Sequence, residues 1–122
     1  MQESGEMYIE TIYILCKEQS NVRSIDVAER MGFSKPSVSL GVSILKRDGY
    51  LTMDENGFLK LTKSGVELAE KIYERHTILT EALTKLGVSS DVAQQDACKM
   101  EHIISDETFD AIKNHMSQYG NK

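Results

Sequence analysis

Between Ser24 and Leu61 the chain carries a run of stops and starts that few folds can accommodate. Ile25–Met31 reads as a short helix capped by Ser24 and ended by Gly32, whose missing Cβ permits a left-handed C-terminal residue. Phe33-Ser34-Lys35-Pro36 turns the chain into a next helix. Ser34 is its cap, and Pro36 sits in the first turn, where a missing N–H costs nothing. That helix carries Val38, Val42, Ile44 and Leu45 and stops near Gly49. Tyr50–Met53 and Phe58–Leu61 then read as short strands around Asp54-Glu55-Asn56-Gly57. Asn-Gly is a strong hairpin signal, because both residues tolerate positive φ. A short helix, a turn, a second helix and a tight hairpin describe a winged helix-turn-helix.

Helices flank this unit. Ser4 is placed to cap a helix over 5–18, with Met7, Ile9, Ile12, Tyr13, Leu15 and Cys16 as its apolar positions. Thr62 caps a long helix to about Leu86, which Gly87 ends, and two more helices follow over 90–104 and 105–119. The expected fold is mainly α with a small β-hairpin: an N-terminal winged helix-turn-helix over 1–62 and an α-helical dimerisation domain over 63–122. A chain of 122 residues buries a modest share of its surface, so a homodimer is a natural way to add core.

The formal net charge of −5 argues against indiscriminate nucleic-acid binding, but its distribution says more. Residues 21–63 hold seven basic side chains (Arg23, Arg30, Lys35, Lys46, Arg47, Lys60 and Lys63) against five acidic ones. A mildly basic middle between acidic flanks suits a DNA-reading unit whose other segments have a different task. Apolar runs such as Met7–Cys16 are broken by Glu10 and by tyrosines, so no membrane span is expected. The acidic, polar opening does not resemble a secretory signal, which points to the cytoplasm. Cys16 and Cys98 lie far apart and imply no disulfide framework.

In a helix-turn-helix the second helix presents its N-terminal residues to the major groove of double-stranded DNA. Here those are Ser34, Lys35, Pro36, Ser37, Ser39 and Leu40, with Lys46 and Arg47 available for backbone phosphates further along. Leu40 can neither donate nor accept a hydrogen bond, so it would read only a thymine methyl or a shape. Such units also serve as protein–protein modules; the hairpin at the right place tips the balance towards DNA.

The most informative chemistry lies in Asp96-Ala97-Cys98-Lys99-Met100-Glu101-His102. Cys98, Glu101 and His102 stand at i, i+3 and i+4, so a helix sets a thiolate, a carboxylate and an imidazole on one face. That is a partial ligand set for a first-row divalent ion. Further ligands must come from other helices, where Met7 and Glu10 share a face by the same spacing and His76 lies midway along the long helix. The competing reading makes Cys98 core and the other two a surface pair. Cys16 is read as core, and His115, near the polar tail, as solvated.

Taken together, Met7-Tyr8-Ile9 ahead of Ile12-Tyr13, Ser34-Lys35-Pro36-Ser37-Val38-Ser39, Lys46-Arg47-Asp48-Gly49-Tyr50, Leu61-Thr62, Arg75-His76 and Cys98 to His102 resemble the diphtheria toxin repressor family, the iron- and manganese-responsive bacterial regulators. The resemblance covers almost the whole chain. It implies a primary metal site from Met7, Cys98, Glu101 and His102. Iron-responsive members have methionine and cysteine at the first two of these positions. Manganese-type members have aspartate and glutamate there, and also use carboxylate and histidine positions matched by Glu10 and His76. The chain mixes the two patterns, and its sulfur donors favour Fe(II), with Mn(II) as the alternative. The ancillary site of iron-type members is altered, since Thr80 and Gln94 stand where the family has a glutamate and a histidine. Relatives often continue into an SH3-like domain, and a ligand from such a domain is not expected from a chain stopping at Lys122. Relatives can also carry glutamine where Leu40 stands, so an operator sequence does not transfer.

The function expected from these features is a metal-dependent transcriptional repressor, binding operator DNA as a dimer when loaded with a divalent transition metal. The alternative is a winged-helix regulator with a small-molecule effector or none. A metalloenzyme ranks last, because no paired acid/base group or phosphate-cradling glycine loop is present.

Overall fold

The computed structural model describes residues 3–119. They are mainly α with one two-stranded antiparallel hairpin, in the order α1 (Glu3–Glu18), α2 (Ser24–Met31), α3 (Lys35–Arg47), β1 (Leu51–Met53), β2 (Leu59–Leu61), α4 (Lys63–Lys85), α5 (Ser90–Met100) and α6 (Asp106–Tyr119). The chain forms two compact units that divide inside α4, one ending at Glu70 and the next beginning at Lys71. Among the described residues no helix is long and apolar enough to cross a membrane.

The first unit is the winged helix-turn-helix. Its core is built by one face each of α1, α2 and α3: Tyr8, Ile9, Ile12 and Leu15, then Val27 and Ala28, then Val38, Val42 and Leu45. Helix α1 is already formed at Glu3, so Ser4 lies inside it and does not cap it. Helix α2 is capped one residue earlier than Ser24. The Asp26 carboxylate accepts a 2.8 Å hydrogen bond from the Arg23 backbone N–H, satisfying a donor that precedes the first turn. Helix α3 begins as its sequence indicates, with the Ser34 hydroxyl accepting from the Ser37 N–H at 3.3 Å.

The hairpin pairs Leu51 with Leu61, Thr52 with Lys60 and Met53 with Leu59. Buried Leu51 and Leu59 turn the wing's inner face to the core, and the Leu59 N–H reaches the Val22 carbonyl at 2.7 Å. Its turn differs from the reading in which both Asn56 and Gly57 take positive φ. Only Gly57 does, at 81°. The Asp54 carboxylate accepts from the N–H groups of Asn56 and Phe58, both at 2.9 Å, which holds the turn from within.

The second unit packs the C-terminal part of α4 with α5 and α6 around Leu79, Ala97 and Phe109, joined by Ile78, Met100, Ile104 and Ile112. Ser105 caps α6 by accepting from the Thr108 N–H at 3.1 Å. Helix α5 ends at Met100, short of the 90–104 span expected. Past Met100 the backbone tightens: the Ile103 N–H bonds the Met100 carbonyl at 3.1 Å, three residues back.

Candidate functional site

Among the described residues of the second unit, Arg75 and Glu101 are polar residues buried as a whole. The Glu101 side chain is fully buried, an uncommon place for a carboxylate without cationic or hydrogen-bonding company. Its company is two imidazoles. His76 Nδ1 lies 2.9 Å from Glu101 Oε2, and His102 Nε2 lies 3.2 Å from Glu101 Oε1. His76 is carried by α4, one residue after Arg75, whereas Glu101 and His102 sit in the tight turn that closes α5.

Arg75 holds that turn in place. Its Nη1 donates to the Glu101 carbonyl at 3.2 Å and to the Ile104 carbonyl at 2.9 Å. Its Nη2 bonds the Asp106 carboxylate, and its guanidinium lies 5.3 Å from the centre of the Phe109 ring. A planar donor fork suits this work, because it serves several acceptors from one fixed position. The sequence alone assigns Arg75 no role; its place directly before His76 is the only signal.

A carboxylate held between two imidazoles is a chemically suitable donor set for a first-row divalent ion. His76 and Glu101 each offer a ligand atom there. The residues present therefore fit a divalent transition metal.

The expected helical face of Cys98, Glu101 and His102 carries through to Glu101, which follows α5 with helical φ −60° and ψ −24° and an N–H bonded to the Ala97 carbonyl at 2.9 Å. Burial differs along that face: Glu101 is fully buried while Cys98 is exposed. The structure thus brings His76, Glu101 and His102 together, with Cys98 an exposed residue of the last turns of α5. Cys98 is accordingly not core. Met7 and Glu10 lie on α1 of the first unit, both half-buried. Cys16 also departs from its core reading: the residue is exposed, although its Sγ turns towards the Leu59 carbonyl 4.0 Å away, and partial burial pushes its thiol pKa up.

Helix α3 and its cap Ser34 present Ser34, Lys35, Pro36, Ser37, Ser39, Leu40, Lys46 and Arg47 on exposed surface. Some of these are partly engaged. Ser34 and Ser37 hydroxyls bond each other at 2.9 Å, and Arg47 Nε pairs with Asp48 at 3.1 Å. Leu40, 64% exposed, is the most exposed large apolar side chain among the described residues of the first unit. Arg23 stacks over the Phe58 ring at 4.6 Å, tying the root of the wing to the loop before α2. Arg30 is matched by Glu18 in a two-pronged pair, with both N–O distances 2.9 Å.

Comparison with known proteins agrees with both halves of this description. Residues 1–63 match the iron dependent repressor N-terminal DNA binding domain, and residues 62–120 match the iron dependent repressor metal binding and dimerisation domain. The transcriptional regulator MntR of Escherichia coli O6:H1 is 37% identical over 115 residues, covering 94% of this chain and 74% of that protein. The diphtheria toxin repressor of Corynebacterium jeikeium is 32% identical over 118 residues, covering 96% of this chain and 49% of that protein. Among solved structures, the manganese regulator SloR is similar at a TM-score of 0.82 and 27% identity, over 93% of this chain and 53% of that one. The chain spans about half the length of the last two. With both domain models matched and this identity to MntR, the chain belongs to the iron-dependent repressor family.

Proposed function

We propose that the chain is a metal-dependent transcriptional repressor that binds double-stranded operator DNA as a homodimer when a divalent transition metal loads it. The observation that carries this reading is the fully buried Glu101 carboxylate set 2.9 Å from one imidazole and 3.2 Å from another. Residues 1–62 would read DNA and residues 63–122 would bind metal and dimerise. The ligands we assign are Met7, Glu10, His76, Cys98, Glu101 and His102. Sulfur from Met7 and Cys98 favours Fe(II) over Mn(II), because manganese prefers oxygen donors. The manganese-regulator relatives favour the second reading, Mn(II), for which Glu10 and Glu101 would supply the oxygen donors.

A bound divalent ion would supply positive charge opposite the buried Glu101 carboxylate. The chain's own residues do the rest. Arg75 fixes the turn bearing Glu101 and His102 through two backbone carbonyls, so these side chains are presented without reordering. Met7 and Glu10, one turn apart on α1, present a thioether and a carboxylate from the helix that also packs against α3. On α3, Lys35 and Ser39 are placed for phosphates at a helix N-terminus, Leu40 for a base edge, and Lys46 for a phosphate a turn or two later. A twofold dimer would set two such helices to successive half-sites. Metal must bind the DNA-competent state more tightly, or no population shift follows.

Cys98→Ala and His102→Ala are expected to abolish metal-dependent operator binding while leaving a folded protein. A gel-shift titration with iron(II) under anaerobic conditions, repeated with manganese(II), reads this directly. Full metal-dependent binding by either variant would defeat the ligand assignment. Unchanged DNA affinity across a chelator titration of the wild-type chain would favour a regulator with another effector or none.

A further inference from the structure

Gly41 lies in the interior of α3, where glycine is a poor helix former and needs a reason. The reason is a ring. A Cβ at Gly41 would lie 2.6 Å from Cε2, 2.7 Å from Cδ2 and 3.0 Å from Cζ of Tyr8, closer than side-chain carbons approach. The Tyr8 hydroxyl donates to the Ser37 carbonyl at 3.3 Å, one turn before Gly41 on the same face. On its other side the ring meets Phe33 edge-on, with centroids 6.0 Å apart and planes at 78°. Tyr8 is 7% exposed, so the ring has no open side into which to swing. It also sits in α1 between Met7 and Glu10, the two residues of that helix proposed as ligands.

We propose that Tyr8 is the positioning residue through which α1 sets the recognition helix. Its ring seats on the bare backbone of Gly41 and its hydroxyl holds the Ser37 carbonyl, so a shift of α1 is passed to α3. Packed interiors are stiff, and a ring in contact with main chain transmits displacement that a flexible aliphatic pair would take up by rotamer change. This inference rests on the reading that α1 carries metal ligands and α3 reads DNA. It adds which contact joins the two tasks.

The test compares the wild-type chain with Tyr8→Phe, Tyr8→Leu and Gly41→Ala. The DNA probe is a duplex selected from a random pool by the manganese-loaded wild type. Affinity for that duplex is measured with and without manganese, alongside thermal midpoint and amide exchange along α3. Manganese should raise wild-type affinity about tenfold or more and slow exchange in α3. Tyr8→Phe, which keeps the ring, should retain most of that gain. Tyr8→Leu and Gly41→Ala should cut the gain to about twofold or less and leave α3 exchange insensitive to manganese. A ring that only stabilised the core would lower the thermal midpoint and both affinities together, leaving the ratio intact; that result overturns the proposal. If Tyr8→Leu fails to fold, Gly41→Ala decides on the same readouts. A full gain in both variants overturns this inference alone, whereas no effect of manganese(II) or of anaerobic iron(II) on the wild type overturns it together with the proposed function.

Discussion

Replacing Arg75 with methionine keeps an unbranched apolar stem in the space beneath the α5–α6 turn and removes the guanidinium. Two backbone carbonyls, those of Glu101 and Ile104, then lose their donor. A stranded buried acceptor costs about 1–3 kcal/mol, so the pair amounts to about 2–6 kcal/mol, nearer the lower end because the Ile104 carbonyl is only part-buried. The Asp106 carboxylate, 70% exposed, returns to water and adds at most about 1 kcal/mol. Loss of the cation–ring contact with Phe109 adds about 0.5–1 kcal/mol. The expected destabilisation is therefore about 2.5–8 kcal/mol, a large fraction of the ~5–15 kcal/mol that holds a domain together. Urea unfolding at fixed protein concentration reads it, with concentration held constant because a dimer's stability depends on it. The same variant should bind metal more weakly, since the turn bearing Glu101 and His102 loses its anchor. A loss below about 1 kcal/mol would refute the claim that Arg75 organises this turn.

Leu40 is expected to read thymine methyl groups. Replacing single thymines by uracils in a selected operator should weaken wild-type binding about fourfold at one or two positions, the worth of one methyl at ~0.8 kcal/mol. Leu40→Ala should be indifferent to the same replacements, and equal sensitivity in both proteins would sink the assignment. Cys16 should alkylate slowly in the folded protein, because partial burial raises its thiol pKa and the thiolate is the nucleophile. In a Cys98→Ala background, iodoacetamide should react faster with urea-unfolded than with folded chain near pH 8. The gap should close as pH rises through the folded-state pKa, where the small stability gained by keeping this thiol neutral is also lost. Equal rates at pH 8 would contradict the raised pKa.

Features encoded locally are legible in the amino-acid order alone. Gly32, Ser34 and Pro36 mark a stop and a start within five residues, and the helix-turn-helix follows from them. The metal site is legible only in part. Residue spacing locates Glu101 and His102, yet cannot say that one carboxylate is fully buried, nor that α5 ends ahead of it. Arg75 bonds the turn that follows α5, reaching carbonyls 26 and 29 residues away in sequence. The hairpin turn shows the same limit on a smaller scale: Asp54 bonds the turn from inside, so Asn56 has no need of positive φ. The Tyr8–Gly41 contact is invisible in the sequence for a plainer reason. A glycine inside a helix reads as a weakness until the ring that fills its place is known.

Side chains of α1 and the Glu101–His102 turn are proposed as ligands of one ion. Anomalous scattering from crystals of the manganese- or iron-loaded protein tests it most directly. One strong peak per chain is expected within coordinating distance of Glu101 and His102, with Met7 or Glu10 also among its ligands. A peak ligated by neither Met7 nor Glu10, or one lying away from Glu101 altogether, would contradict it.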